Sequence, residues 1–293
     1  MGRVAIVTDS TCDLPTALVE AAGIRVVPLS VTFGLDSFVS GVTISTAGFY
    51  ARLVADTTRL PTTSQPAPVW FEEAYAAAAA DDEVSAIVSL HVSSALSGTV
   101  SLARDRAARA PVDVEVVDTR LVGGALGMAV LAAHRVASAG GSVAEVVAAA
   151  QEVRDRALTL LVVDDLKALR RGGRLTGAQT AVGGALRVKP LLHLVDGRVE
   201  VRERTRTWAR ALERVGELVE QAAAGEMVDV LVAEALAPQR AEQVWEQLVR
   251  RVTLGDRVDA QIGPIVGAHV GPGAIGVTVV PRTARPQPGA FGA

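Results

Sequence analysis

Residues 3–22 have the sequence RVAIVTDSTCDLPTALVEAA. The first six residues form a largely apolar, β-branched run typical of a buried strand, and the Ala- and Leu-containing end of the stretch is typical of a helix. A strand, a turn and a helix in this order form the repeating unit of parallel α/β sheets. The segment therefore predicts an α/β protein whose polar residues 8–13 lie at the carboxyl end of a strand, where such folds bind ligands.

The same alternation continues to about residue 160 and then changes. Strand patterns occur at 3–8, 24–32, 84–91, 112–117 and 158–163, with helical patterns at 14–22, 46–56, 67–80, 97–110, 121–139 and 143–156. Beyond them we expect a hairpin over 188–204, a strand at 227–234 between helices at 207–224 and 238–252, and a Gly-rich strand pair at 261–281.

This pattern predicts two α/β domains. We expect residues 1–160 to form an N-terminal domain around a mostly parallel sheet, and residues 161–282 to form a mixed α/β C-terminal domain. Residues 283–293 contain the sequence RPQPG and are predicted to be a disordered tail.

Composition restricts the classes of function. The 293-residue chain is 49% hydrophobic with a net charge of −3, which argues against a nucleic-acid-binding protein. Its single cysteine, Cys12, excludes an internal disulfide and a cysteine zinc site. No apolar run is long enough to span a bilayer, and no signal peptide precedes the first strand pattern. We expect a soluble cytoplasmic protein with no metal ion and no cofactor.

Two polar segments could bind an anion or simply cap a helix. Asp13 ends the first segment and precedes a helical pattern, so it could be an N-cap. Residues 61–66 read PTTSQP and place hydroxyls directly before the helix predicted at 67–80. Hydroxyls beside free helix N–H groups suit an anion site, but the segment taken alone favours an ordinary cap.

Two further segments are rich in small and polar residues and could carry a functional site. Residues 91–99 read HVSSALSGT and resemble a nucleophile turn, but Ala95 and Leu96 break the Gly-x-Ser-x-Gly spacing of hydrolases. Residues 263–273 read GPIVGAHVGPG, with four glycines around His269. A ligand can approach such a ring closely, although a structural histidine is the alternative.

Positive charge is concentrated between residues 166 and 210. This stretch contains eleven Lys or Arg residues and only three acidic residues, although the whole chain is net acidic. The local excess of positive charge indicates a docking surface for an acidic partner or phosphate. Nucleic acid is less favoured because stacking aromatic residues are missing. The basic residues are Lys167, Arg170, Arg171, Arg174, Arg187, Lys189, Arg198, Arg202, Arg204, Arg206 and Arg210.

Together these segments resemble the DegV family, the fatty-acid-binding subunits of bacterial fatty acid kinase. The resemblance covers roughly residues 3–281 and rests on seven short motifs in the family's order. They are Thr8-Asp9-Ser10-Thr11, Pro28-Leu29, Thr63-Ser64-Gln65-Pro66, Ser93-Ser94-x-Leu96-Ser97-Gly98-Thr99, Gly172-Gly173-Arg174, Arg206-Thr207 and His269-x-Gly271-x-Gly273. Arg171 departs from the family, which often has Lys at that position.

The resemblance implies a two-domain DegV-like fold that encloses a long-chain fatty acid between its domains. It also implies a non-catalytic lipid-binding subunit that acts in phospholipid metabolism. Such a subunit presents the carboxylate to a separate kinase subunit and makes only transient membrane contact.

The family's site residues map onto six positions. By resemblance, the carboxylate is bound by neutral donors, and Arg174 and Arg206 contact the kinase partner or the transferring phosphate. Which of two adjacent serines faces the ligand stays open. The implied carboxylate ligands are Thr63, Ser93, Ser94 and His269.

Two other functions are compatible with these residues. Ser94 as nucleophile and His269 as base would make an acyl ester hydrolase. A docking or regulatory protein that binds another apolar acid is the third possibility. The sequence has no Walker-type phosphate loop, which favours a protein that does not itself hydrolyse ATP.

Overall fold

The computed structural model describes residues 2–56, 60–176 and 188–282. The predicted tail at 283–293 and Arg187 lie outside these residues. The elements of the first half are β1 (Arg3–Asp9), α1 (Thr16–Ala21), β2 (Arg25–Val27), β3 (Ser30–Phe33), β4 (Asp36–Val39), α2 (Thr46–Ala55), β5 (Thr62–Ser64), α3 (Pro68–Ala78), β6 (Val84–His91), α4 (Thr99–Ala107), β7 (Asp113–Asp118), α5 (Gly124–Ser138) and α6 (Val143–Arg156).

The first half is built on a parallel sheet with the strand order β2-β1-β6-β7. Its central strands are apolar on both faces because helices cover both. Ile6 of β1 packs in the core that contains α5, whereas the next residue, Val7, packs with Phe71 of α3. A small antiparallel sheet, β4-β3-β5, lies beside it and carries residues 62–64.

The second half is built on a mixed six-stranded sheet. Its elements are β8 (Leu158–Val162), α7 (Lys167–Arg171), β9 (Lys189–Val195), β10 (Arg198–Thr205), α8 (Trp208–Ala223), β11 (Val228–Glu234), α9 (Pro238–Arg251), β12 (Leu254–Gln261), α10 (Pro264–Val270) and β13 (Ile275–Pro281). The strand order is β10-β9-β8-β13-β11-β12, and β11–β12 is the parallel pair. Helices α8 and α9 cover one face of this sheet through a separate apolar core.

These two sheets confirm the predicted α/β fold class. The predicted boundary at residue 160 falls inside β8, whose pairing partners β9 and β13 both belong to the second sheet. The division into two domains remains a prediction, and α10 packs against β3, β5 and α2 of the first half.

The structure corrects one predicted strand and one predicted strand pair. The strand predicted over 24–32 divides into β2 and β3 at Pro28, which has no N–H to donate to a ladder. The strand pair predicted over 261–281 is instead the short helix α10 followed by β13. Pro264 occupies the first turn of that helix, where its missing N–H costs nothing, and Gly271 ends it at a φ of 75°.

Candidate functional site

The structure joins two polar residues that are far apart in the chain. Thr63 lies on β5 and His269 lies in the last turn of α10, and the Thr63 Oγ1 and His269 Nε2 atoms are 2.9 Å apart. The ring is largely buried, and Arg174 lies near it. Burial, with a smaller effect of the Arg174 charge, lowers the pKa of His269 to about 4. The imidazole is therefore neutral at pH 7 and can either donate or accept a hydrogen bond.

This pair lies on the wall of a cavity, which we call the first chamber. The polar wall residues come from both halves of the protein, because the carboxyl ends of β1 and β6 meet α10 and the turn after α7. Apolar residues form the rest of the wall. The polar wall residues are Thr11, Thr63, Ser64, Gln65, Ser97, Arg174 and His269.

Arg174 adds a cationic side chain to this wall. Its Nε donates to the carbonyl oxygen of Leu96 at 3.1 Å, and Nη1 donates to the carbonyl oxygen of Gly172. These bonds hold the guanidinium between the turn after α7 and the turn before α4. A half-buried arginine therefore lines the same chamber as His269, beside the predicted neutral donors.

Two glycines allow these segments to approach closely. A Cβ atom at Gly172 would lie 2.5 Å from His269 Nδ1, so a side chain there would displace the ring. A Cβ atom at Gly98 would meet the Oε1 atom of the exposed Gln65 side chain. The glycines of the Gly172-Gly173-Arg174 and Ser97-Gly98-Thr99 motifs thus leave space for the side chains of His269 and Gln65 at this site.

A second chamber adjoins the first. The two share four apolar wall residues, which are Val122, Leu161, Val199 and Val266. The second chamber lies between the start of α5 and strands β8, β9, β11 and β13, and its wall is mostly Leu, Val, Ile, Ala and Gly. The two adjoining chambers therefore place polar groups at Thr63 and His269 next to a largely apolar space between α5 and the second sheet.

Ser93 and Ser94 take other positions. Ser93 is buried, its Oγ accepts from the Ala95 N–H at 3.2 Å, and it lies against Gly197 of the β9–β10 turn. Ser94 is exposed, and its hydroxyl donates to Asp118. Of residues 93–99, the serine on the wall of the first chamber is Ser97.

The hydrogen bonds of the proposed hydrolase residues also go to different partners. The Ser94 hydroxyl bonds Asp118, whereas the His269 ring bonds Thr63. The structure does not bring Ser94 and His269 together as a nucleophile and its base. A hydrolase would need these two side chains within hydrogen-bonding distance.

Arg206 is not one of the wall residues of the first chamber. It is exposed directly after β10, and most of the other described basic residues between 166 and 210 are exposed as well. Arg174 and Lys189 are half-buried exceptions, and Lys189 pairs with Asp164. The kinase-contact role of Arg174 and Arg206 stays a prediction.

The two helix-cap alternatives are wrong. The N-cap of α1 is Pro15, without a side-chain hydrogen bond, and Asp13 Oδ1 instead accepts the Gly263 N–H at 2.9 Å. Residues 62–64 form β5, and the N-cap of α3 is Ala67. These residues are thus available to other contacts in the tertiary structure.

A fully buried network fixes the strand ends behind the first chamber. Asp9 Oδ2 bonds His91 Nδ1 at 3.0 Å and the Val92 N–H at 2.9 Å, while Oδ1 accepts from the Thr11 hydroxyl at 2.6 Å. Burial alone would raise the pKa of Asp9, but these hydrogen bonds hold it below its ordinary value. Since Thr11 and Val92 both line the first chamber, the network sets the shape of its wall.

Comparisons with known proteins show the family of this chain. The model of the DegV family matches residues 3–282. The chain belongs to the DegV family. A DegV domain-containing protein of Streptomyces coelicolor is 44% identical over 281 residues, which are 96% of this chain and 99% of that protein.

Solved DegV structures share the fold described above. A DegV family protein from Thermus thermophilus, described as binding fatty acid, superposes with a TM-score of 0.87 at 32% identity, over 96% of this chain and 100% of that chain. DegV from Bacillus subtilis, described as a fatty acid binding protein, gives a TM-score of 0.85 at 29% identity, over 96% and 100% of the two chains. Within the described part of this DegV protein, none of the helices is both long and apolar enough to cross a membrane.

Sequence reasoning missed Ser97 and Thr11 as wall residues. Both belong to motifs that carry the resemblance, but the adjacent serines at 93 and 94 offered no sequence signal that distinguished them from Ser97. The distinguishing feature is the turn at 93–97, in which the Ser97 N–H bonds the Ser93 carbonyl oxygen at 3.1 Å. This turn brings Ser97 to the cavity side.

Proposed function

We propose that this DegV protein binds a long-chain fatty acid in the two connected chambers and presents its carboxylate to a separate kinase subunit. The observation that carries the proposal is that a polar end, the hydrogen-bonded Thr63 and His269, adjoins a largely apolar chamber. Related DegV structures described as fatty-acid-binding support the same ligand class.

The acyl chain supplies most of the binding free energy. Burying about 15 methylenes at about 0.8 kcal/mol each contributes up to about 12 kcal/mol before the costs of association. The apolar residues of the second chamber, contributed mainly by α5 and strands of the second sheet, are suited to this part of the ligand. This chamber alone would accept any apolar chain, so the ligand's acid group must be selected at the other end.

The carboxylate needs donors because removing it from water costs several kcal/mol. We infer that the hydroxyls of Thr63 and Ser97 donate to it, while the neutral ring of His269 donates from Nε2 to the Thr63 hydroxyl oxygen and so orients that hydroxyl. Arg174 lies on the same wall, and its charge stabilises the carboxylate even without a paired, bidentate contact. The guanidinium is already bonded to Leu96 and Gly172, which limits how tightly it can bind the ligand.

This arrangement suits an acid that must react later. The carboxylate attacks the terminal phosphorus of ATP held by the kinase, the bond to the leaving ADP breaks, and an acyl phosphate forms. Neutral donors leave the carboxylate oxygen more nucleophilic than a bidentate ion pair would. The exposed basic residues between 166 and 210, Arg206 among them, would contact the kinase, and Arg174 would stabilise the charge on the transferring phosphate.

Lipid binding is tested by mass spectrometry and by variants. Protein purified from cells and then denatured should release a long-chain fatty acid, and delipidated protein should bind palmitic acid again. Thr63→Val should weaken palmitic acid binding about 10-fold or more, since a hydrogen bond to a charged group is lost. Ser94→Ala is the matched control and should bind normally, because that hydroxyl bonds Asp118. Absence of any released or rebound acid would refute the proposal.

Presentation needs a separate assay. Loaded protein is mixed with a fatty acid kinase catalytic subunit and ATP, and the acyl phosphate is trapped with hydroxylamine as the hydroxamate. Arg206→Ala should lower hydroxamate formation while palmitic acid binding is kept. Normal lipid binding with no hydroxamate from the wild-type protein would leave a lipid carrier and reject the kinase-presentation part.

A further inference from the structure

Polar side chains also lie on the wall of the second chamber. Asp13, Thr159, His193 and Thr278 line it among apolar residues and glycines. They stand away from Thr63 and His269, which line the first chamber only. A plain acyl chain has no group that could hydrogen-bond them, so the proposed ligand leaves this part of the wall unexplained.

Asp13 is held in a costly conformation at this wall. Its φ is 50°, a left-handed backbone that is uncommon outside glycine, and its side chain is nine-tenths buried. Within the described residues its hydrogen bond is the one that Oδ1 accepts from the Gly263 N–H. The other oxygen, Oδ2, lies 3.4 Å from the position that a Cβ atom would take at Gly123.

Thr278, on the second sheet, also lies close to the start of α5. It lies on β13 and is 2% exposed, and its Oγ1 lies 3.4 Å from the position of a Cβ atom at Gly124. Gly123 and Gly124 are the N-cap and first residue of α5, and no side chain caps this 15-residue helix. Asp13 and Thr278 thus both lie beside the start of α5 on the wall of the second chamber. Thr159, the cross-strand neighbour of Thr278, has a buried hydroxyl with no partner among the described residues.

The charge state of Asp13 restricts what could bind here. Burial raises the pKa of Asp13 to about 8, so the carboxyl is protonated at neutral pH and can donate through one oxygen while it accepts through the other. A second carboxylate on the ligand would have to be buried where none of the described wall residues is a Lys or Arg. A neutral group that can both donate and accept a hydrogen bond fits the polar side chains of Asp13, Thr159 and Thr278.

We propose that the second chamber recognises a hydroxyl group on the acyl chain, so that the preferred ligand is a hydroxylated long-chain fatty acid. The inference rests on the proposed function, because the carboxylate end must be held at Thr63 and His269. A hydroxyl would pair with Thr278 and Asp13, whereas a methylene at the same position leaves these buried groups unsatisfied. Sites built to bond a ligand hydroxyl discriminate strongly against the analogue without it.

The test compares stearic acid with monohydroxystearic acids that differ in the position of the hydroxyl. Delipidated full-length protein is titrated with each acid. At least one positional isomer should bind about 10-fold more tightly than stearic acid, which corresponds to about 1.4 kcal/mol. If no isomer binds more tightly while stearic acid does bind, the hydroxyl site is refuted and the proposed function stands. If no acid binds at all, the proposed function itself fails.

Isosteric variants locate the preference. Thr278→Val should bring the ratio of the dissociation constants of stearic acid and the preferred hydroxystearic acid close to one. Thr159→Val serves as a second probe in case the first variant does not fold. Thr8→Val is the matched control, because Thr8 is a buried threonine with an unpartnered hydroxyl that lines neither chamber. A preference that survives both chamber variants, or that is lost in Thr8→Val, would refute the assignment.

Discussion

Replacement of His269 by glutamine should change how the stability of the delipidated protein depends on pH. The unfolded chain protonates this imidazole near pH 6.5, but burial and Arg174 lower the pKa of His269 to about 4 in the folded protein. Because the unfolded state binds the proton more readily, stability falls as the pH is lowered between these two values. With these two pKa values, lowering the pH from 7 to 5 costs about 2 kcal/mol through this one group.

Urea denaturation at pH 7 and pH 5 measures this loss. The wild-type protein should lose about 2 kcal/mol more than His269→Gln over this interval, because glutamine keeps a polar side chain beside Thr63 but does not titrate. His134→Gln is the control. His134 lies on α5, where burial lowers its pKa by less, so its contribution should be smaller.

The result that would refute the reasoning is equal pH dependence in the wild-type protein and His269→Gln. That outcome would mean that the ring titrates as in water, and hence that it is not buried beside Arg174. An NMR titration of the histidine ring protons would then show a pKa near 6.5 for His269. The neutral-donor role at the carboxylate end would lose its basis with it.

Three further outcomes follow from buried groups near the cavity. Gly172→Ala should destabilise the protein by about 1–3 kcal/mol and abolish palmitic acid binding, because its Cβ atom would collide with the His269 ring. Gly98→Ala is the control, because its Cβ atom meets only the flexible, exposed Gln65 side chain. Thermal unfolding and palmitic acid titration measure the two effects. Between pH 4 and pH 7 the wild-type protein should lose about 4 kcal/mol more unfolding free energy than Asp13→Asn. Burial raises the pKa of Asp13 to about 8, so the wild-type carboxyl loses stability as the pH rises. Denaturation curves at the two pH values would show no difference between the proteins if Asp13 were solvated. Cys12 should resist iodoacetamide in the native protein and react after unfolding, since burial raises the pKa of its thiol to about 12; rapid native labelling would contradict its burial.

Local sequence patterns determined most of the fold. The alternation of β-branched runs and Ala-rich helical stretches predicted the parallel sheet, because strand and helix periodicities are properties of a few consecutive residues. It was wrong for the segment at 261–281, where glycines suggested strands but Pro264 begins a helix. The bounds of a seven-residue helix depend on packing against the other half of the protein, which no local pattern encodes.

For the candidate site, the sequence by itself determined which residue types and motifs were available. It placed Thr63, His269 and Arg174 among the candidates, but it assigned the arginine to a separate surface and could not choose Ser97 over its neighbours. Thr63 and His269 are 206 residues apart, and only the tertiary structure brings their side chains to 2.9 Å. Hydrogen bonds and burial depend on where the ends of strands from two sheets meet. Which side chains share a cavity is therefore decided by the packing of the two halves.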